Sequence, residues 1–256
     1  MSAIPQYKVT ALRMGKLGAD RSALLHGVEP GVSLDVPVFA AAIEGGGRRL
    51  LVDTGIGDPA WVRENLGQTC EQTPEETLPG ALDGIGWKVE DVDIVVNTHL
   101  HYDHVGYNHL FPGKGIVVSK VEWEATAAPV GPIQTALYSP REWLAPPLGP
   151  FDYEIVSADY HDVAPGVRLI DTPGHSLGHR SVLVNTAAGT LCVVGDAVNI
   201  EENFTTGAPG GIHVSIADAI ASMERIAREA DVVLMAHDSR VEANQDEGFP
   251  APGAAS

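Results

Sequence analysis

Four of the chain's ten histidines fall within NTHLHYDHVGYNHL, residues 97–110, with an aspartate among them. His99, His101, Asp103 and His104 are too densely packed to be an ordinary solvated loop. Imidazole and carboxylate are the donors that zinc and similar borderline ions take. His99 and His101, two residues apart on a loop, can face one cation, and the adjacent Asp103 and His104 can face another. Three more stretches offer donors of the same kind. DTPGHSLGH projects His175 from a Pro-Gly turn, CVVGDAVN places Asp196 directly after an apolar run, and VVLMAHD places His237 in the same way. Each of these alone would be a satisfied polar residue or a cap. They become ligand candidates beside the 99–104 cluster, because a catalytic ion of this type needs at least three protein groups. Five histidines and two aspartates are too many for one tetrahedral ion and fit two, with one carboxylate shared.

The elements that must position these residues are short apolar strands. YKVTALRMG alternates and reads as a strand. LDVPVFAAAIEGGGRRLLVDTG reads as a hairpin around EGGG, its second strand ending at Asp53. DVDIVVN is nearly all apolar, which predicts burial on both faces, and the histidine cluster follows it at once. Strands are expected at GIVVS, YEIVS, VRLIDT, SVLVNT, TLCVVGD and DVVLMAHD, and helices at KVEWEATAA and SIADAIASMERIAREA. TPEETLPGALDGIGW reads as one helix capped by Thr73 with Pro74 in its first position. The donors Asp53, His99, His175, Asp196 and His237 thus stand at strand ends, a usual address for a site in a layered fold. Residues 15–33 are read as an irregular excursion or flap. Residues 129–152 are read as a Pro-rich cover over one side of the site, with Trp143 its pocket-lining tryptophan, and the tail from about Val241 as loose. One domain spanning residues 1–256 is expected.

The bulk composition narrows the partners. Sixteen Lys and Arg against 34 Asp and Glu give a formal charge of −18. That acidity argues against nucleic acid and anionic membranes, which need basic patches. No apolar run approaches the ~20 residues of a membrane helix, and the first residues lack a signal-peptide pattern. Cys70 and Cys192 are far apart and read as reduced, which fits the cytoplasm. A homodimer is compatible with the sequence. His26, His109, His161, His179 and His213 are read as surface or supporting residues, with His213 able to face a substrate.

HLHYDH matches the His-x-His-x-Asp-His motif of the metallo-β-lactamase superfamily, and His175, Asp196 and His237 match its later single His, Asp and His in order. The chain resembles that superfamily from about residue 7 to 250. Within it, the chain is most similar to the N-acyl homoserine lactone lactonases, through the hairpin ending VDTG, the segment DYHDVAPGVRLIDTPGHSLGHRSVLV, the stretch GDAVNIEENF, and MAHD with the later GFP. The resemblance implies an α/β (α+β) fold, a four-layer αββα sandwich of two mixed β-sheets with the site at one edge. It implies two Zn2+ or other divalent ions, one held by His99, His101 and His175, the other by Asp103, His104 and His237, with Asp196 bridging. Asp53 would orient a ligand histidine. Two positions depart from the lactonase pattern. Asn199 stands where those enzymes often carry a tyrosine that holds the substrate carbonyl. Tyr107 stands where a second glycine commonly follows the motif, and its ring or hydroxyl could act near the metals.

The expected function is therefore a dinuclear-zinc hydrolase that opens a lactone or related small cyclic ester, an N-acyl homoserine lactone among the candidates. Metal binding lowers the pKa of water from near 16 to roughly 7, so a metal-bridging hydroxide would attack the carbonyl. Asp103 would carry a proton to the departing alkoxide, and Asn199 or Tyr107 would contact substrate. GHSLGHRS lacks the Gly-x-Ser-x-Gly elbow of a serine hydrolase. Alternatives are a zinc hydrolase of another small ester, amide, carbamate or glyoxalase II-like thioester. A diiron redox protein is remote, because such relatives normally replace the motif's second histidine, here His101, by glutamate.

Overall fold

β1 (Lys8–Asp20) alternates between two interiors: Val9 and Ala11 face one, Leu12 and Met14 the other. β2 (Ser33–Gly45) continues the pattern, with Phe39, Ala41 and Ile43 on the first side and Val38, Ala40 and Ala42 on the second. This period of two with both faces apolar makes a sheet covered on both sides. The computed structural model describes residues 4–144, 153–243, 245–246 and 248–252.

β1, β2, β3 (Arg48–Val52), β4 (Cys70–Glu71), β5 (Ile94–Val96), β6 (Gly115–Ser119) and β7 (Tyr153–Val156) form one sheet in the order β4-β1-β2-β3-β5-β6-β7. β1, β2 and β3 pair antiparallel, while β3, β5, β6 and β7 run parallel. β8 (His161–Ala164), β9 (Val167–Asp171), β10 (Arg180–Thr186), β11 (Gly189–Val193), β12 (Val232–Leu234) and β13 (Phe249–Pro250) form the second, in the order β13-β12-β11-β10-β9-β8. It is antiparallel except for the β11–β12 pair. The inner faces meet in a core that includes Ile43, Leu50, Val96, Val117, Leu169, Val182 and Val184. Helices Pro59–Leu66 and Leu78–Asp83 cover the outer face of the first sheet, and helix Ile216–Glu229 covers that of the second. The architecture is the expected αββα sandwich of two mixed sheets. The last helix buries Ala219, Ser222, Met223 and Ile226 at three- and four-residue spacing and is capped by Ser215, whose hydroxyl accepts from Asp218 N–H.

Three expectations are corrected. The segment after residue 14 is not irregular. β1 bulges between Arg13 and Lys16, where Gly15 takes φ +119°, and then pairs with β2 again as far as Asp20 with Ser33. The bulge shifts the alternation by one residue and hides the strand. Only the tip, with helix Arg21–Leu24, stands outside the sheet. The expected single helix from Thr73 is two: Thr73 opens a 3₁₀ turn Pro74–Glu76, and Thr77 caps Leu78–Asp83. Pro79 lacks an amide hydrogen and fits the first turn of a new helix rather than the interior of an old one. The tail is tied down as far as it is described, because β13 pairs with β12 and Ala251 is buried. Residues 145–152 of the expected cover lie outside the described residues. Trp143 packs edge-on against Trp61, their ring centroids 5.1 Å apart. No helix among the described residues is long and apolar enough to cross a membrane.

Candidate metal centre

The seven candidate donors converge at one edge of the sandwich from four chain segments. His99, His101, Asp103 and His104 follow β5, His175 lies between β9 and β10, Asp196 follows β11, and His237 follows β12. All seven are buried. Single donor atoms from His99, His101 and His175 lie within 4.8 Å of one another, as do those of His99, His104 and Asp196, and of Asp103, His104 and His237.

Each imidazole has its outer nitrogen committed as a hydrogen-bond donor. His104 Nδ1 lies 2.8 Å from Asp53 Oδ2, a carboxylate that can only accept. Thr98 spends its one hydroxyl hydrogen on Asp53 at 2.8 Å, so it must accept from His99 Nδ1 at 3.0 Å. His175 Nδ1 donates to the Ile212 carbonyl at 3.0 Å and His237 Nδ1 to the Pro37 carbonyl at 2.9 Å. His101 is turned the other way round. Its Nε2 lies 2.9 Å from Gln134 Oε1, an orientation fixed because Gln134 Nε2 donates to the His175 carbonyl. Every inner nitrogen therefore points into the cluster.

The inner nitrogens lack adequate partners in the protein. His99 Nε2, His104 Nε2 and Asp196 Oδ1 are buried without a hydrogen bond, although His104 Nε2 comes within 3.1 Å of Asp196 Oδ1. That approach is close but not directed as a hydrogen bond. His101 Nδ1 and His175 Nε2 face each other at 2.9 Å, both with their hydrogens spent on the far side. Two lone pairs at that distance repel unless a positive charge sits between them. A buried array of five inward nitrogens and two carboxylates fits a divalent metal and little else.

The charge balance says the same. Burial holds His99 and His175 well below the ordinary imidazole range, and His101 below it, so these three are neutral. Burial also lowers His104 and His237, but Asp196 and Asp103 outweigh it and raise both, His104 strongly. Burial pushes Asp196 up, and its histidine neighbours, His237 and His104 foremost, more than offset that, leaving it well below the carboxylate range. The two imidazoles nearest the carboxylates are thus the ones whose charged form is favoured, as a site that receives positive charge requires.

Several residues outside the donor set hold the donors in place. Asp53 accepts from Thr98 N–H, Thr98 Oγ and His104 Nδ1, with its backbone in the left-handed region at φ +62°. A non-glycine residue held there is strained and is found where geometry matters. His179 accepts from Asp196 N–H at 3.0 Å through Nε2 and donates from Nδ1 to Thr172, which passes the chain of hydrogen bonds on to Ser181 and the Val194 carbonyl. Glu122, fully buried, accepts from Leu100 N–H, Ser176 Oγ and Gly178 N–H, tying the 99–101 loop to the 175–178 loop. Ser176 is spent on that bond and is no nucleophile. Asp53 is readable from VDTG, and the sequence reads His179 as a surface or supporting residue, while Glu122 carries no signal.

A cavity of about 160 Å3 opens onto His101, Asp103, His175, Asp196 and His237. Leu17, Leu24, Val36, Leu137 and Ile212 make its walls apolar. Asn199 lines it, but its amide nitrogen is 3.3 Å from the Leu24 carbonyl and its backbone N–H donates to Asn203. Tyr107 is not brought to the cluster. Its hydroxyl donates to Gln72 at 3.0 Å, and its ring packs on the outer core and stacks on His109. The tyrosine on the cavity wall is Tyr102, inside the motif, whose hydroxyl donates to Gln68 at 2.6 Å. His213 bonds the Gly210 carbonyl and packs against His26, at 4.9 Å between rings.

This fold and this donor set define a metallo-hydrolase. A sequence profile of the metallo-beta-lactamase superfamily matches residues 34–237, and the chain belongs to that superfamily as a metal-dependent hydrolase. The N-acyl homoserine lactonase of Bacillus cereus is 33% identical over 238 residues, covering 88% of this chain and 90% of that protein. The solved structure of an N-acyl homoserine lactone hydrolase, with the product N-hexanoyl-L-homoserine bound at its catalytic metal center, superposes with a TM-score of 0.78 at 28% identity, over 91% of this chain and 93% of that one. The dizinc lactonase AidC shares the fold, with a TM-score of 0.63 at 16% identity over 97% and 98% of the two chains.

Proposed function

We propose that the chain opens lactones, N-acyl homoserine lactones among them, with two zinc ions. The observation that carries this reading is the set of inward nitrogens and carboxylates at the floor of an apolar cavity. His99, His101 and His175 would hold one ion, Asp103, His104 and His237 the other, and Asp196 would lie between them. When bound, such ions supply hydroxide at neutral pH and polarise a carbonyl.

The chain's own groups do the rest. Asp103, which lines the cavity 3.7 Å from His237 Nε2, would take up a proton and return it to the departing alkoxide. The apolar walls exclude water and suit an acyl chain better than a charged group. Asn199 lines the wall; one of its two amide hydrogens serves the Leu24 carbonyl, and the other would be available to a substrate oxygen. The polar handle on the wall is the Tyr102–Gln68 pair.

A pH-indicator assay over lactones, open esters and a glutathione thioester, with zinc-loaded and stripped protein, tests the reading. Lactones should be turned over fastest, only by the loaded protein. Equal activity of the stripped form, or a preference for the thioester, would sink it.

A further inference from the structure

We propose that Gln134 is a positioning residue that selects which nitrogen His101 offers to the cluster and so sets the affinity of the three-histidine site. The inference rests on the metal-centre reading above. Gln134 lies on the helix Gly131–Leu137 and is 3% exposed. It bonds two of the three histidine segments at once: Oε1 accepts from His101 Nε2, and Nε2 donates to the His175 carbonyl.

The other four histidines turn Nε2 inward, because their Nδ1 atoms are anchored by Asp53, Thr98, the Ile212 carbonyl and the Pro37 carbonyl. His101 alone turns Nδ1 inward, 2.9 Å from His175 Nε2. Neutral imidazole has one hydrogen, and either nitrogen can carry it. An acceptor at Nε2 holds the hydrogen there and leaves Nδ1 free as a ligand. Gln134 is the acceptor found at that nitrogen. Without it the buried Nε2–H would be unsatisfied, and the other tautomer would become competitive. Glu122 bridges the same two loops, but it bonds Leu100 N–H, Ser176 Oγ and Gly178 N–H rather than an imidazole. The loops are thus held together without Gln134, and the tautomer is not.

The test compares wild type, Gln134→Leu and Gln134→Glu. Zinc affinity is read by chelator competition, and the His101 tautomer by imidazole 15N chemical shifts. Gln134→Leu should weaken one of two zinc ions by about 10–100-fold, the usual effect of losing an outer partner of a metal-bound histidine. The His101 shifts should move toward the Nδ1–H form. Gln134→Glu keeps an acceptor at Nε2 while losing the donor to His175, and should hold zinc within a few-fold of wild type. Gln134→Leu with two wild-type affinities and an unchanged tautomer would overturn the proposal. So would a Glu variant as weak as Leu, which also decides the matter if the Leu variant does not fold. A wild-type chain that takes up no zinc would instead remove the reading of the centre itself.

Discussion

Asp53 shows how much one residue outside the ligand set carries. Its two oxygens accept three hydrogen bonds, from Thr98 N–H, Thr98 Oγ and His104 Nδ1. In Asp53→Asn one oxygen becomes a donor facing other donors. Zinc affinity should fall by about 10–100-fold and stability by roughly 1–3 kcal/mol for the unpaired buried group, read by chelator competition and urea unfolding. Asp196→Asn and His101→Ala remove donors themselves, so their metal content and turnover should fall at least as far as the upper end of that range. Retention of most activity in either variant after metal stripping would contradict the proposed chemistry. Tyr107→Phe is predicted to behave differently. Its hydroxyl serves Gln72 away from the cavity, so kcat/KM should stay within a few-fold while stability drops by about 0.5–1.5 kcal/mol. The seven donors were legible because side-chain type and spacing announce metal chemistry. Apart from Asp53 their anchors were not, since backbone carbonyls such as those of Pro37 and Ile212 occur at every residue, and Gln134 is one glutamine among ordinary helix residues.

At the scale of elements, the site depends on loops crossing at backbone contact. Gly106, just after the motif, lies against Gly57 of the loop after β3, and a Cβ on Gly106 would sit 1.9 Å from Gly57 N. Both sides of that contact are backbone, so neither can yield without moving the loop that carries Asp53 or the short helix Tyr102–Val105 that carries His104. Gly106→Ala should therefore cost about 1–3 kcal/mol or more in urea unfolding and weaken zinc binding with it. Gly115→Ala in β6, where a Cβ meets nothing within 4 Å, is the matched control and should change neither. Elements with an unbroken signal were legible. The β2–β3 hairpin turns at Gly46 and Gly47, both with positive φ, as EGGG implies. Elements whose signal is broken or too short were missed: the part of β1 beyond its bulge, the two-residue strands β4 and β13, and the helices Pro59–Leu66 and Gly131–Leu137.

At the scale of the whole molecule, the strand pattern foretold only that β5 is covered on both faces, and Val95 is buried on one and Val96 on the other; the four-layer sandwich itself was implied by the family resemblance that HLHYDH and its companion segments carry. The same double burial makes the site's supporting histidine a pH liability. His179 is held neutral, burial pushing it down to about 3, while an unfolded histidine titrates near 6.5. The folded value lies below the unfolded one, so the unfolded chain takes up this proton first as pH falls. The stability that His179 allows is fully present above about pH 6.5 and is lost progressively toward pH 3. At ~1.4 kcal/mol per pH unit for one proton, the loss from pH 6.5 to 4.5 is roughly 2–3 kcal/mol from this residue. His179→Gln keeps an acceptor for Asp196 N–H and a donor for Thr172 but does not titrate. In metal-stripped protein at pH 7.5 the variant should be the less stable one, because the shorter side chain packs less well. Urea unfolding at pH 7.5, 5.5 and 4.5 should show that deficit shrinking or reversing by the amount above. A difference that stays constant across this range would mean that His179 is not held neutral in the folded chain, and that the Asp196 backbone does not lean on it.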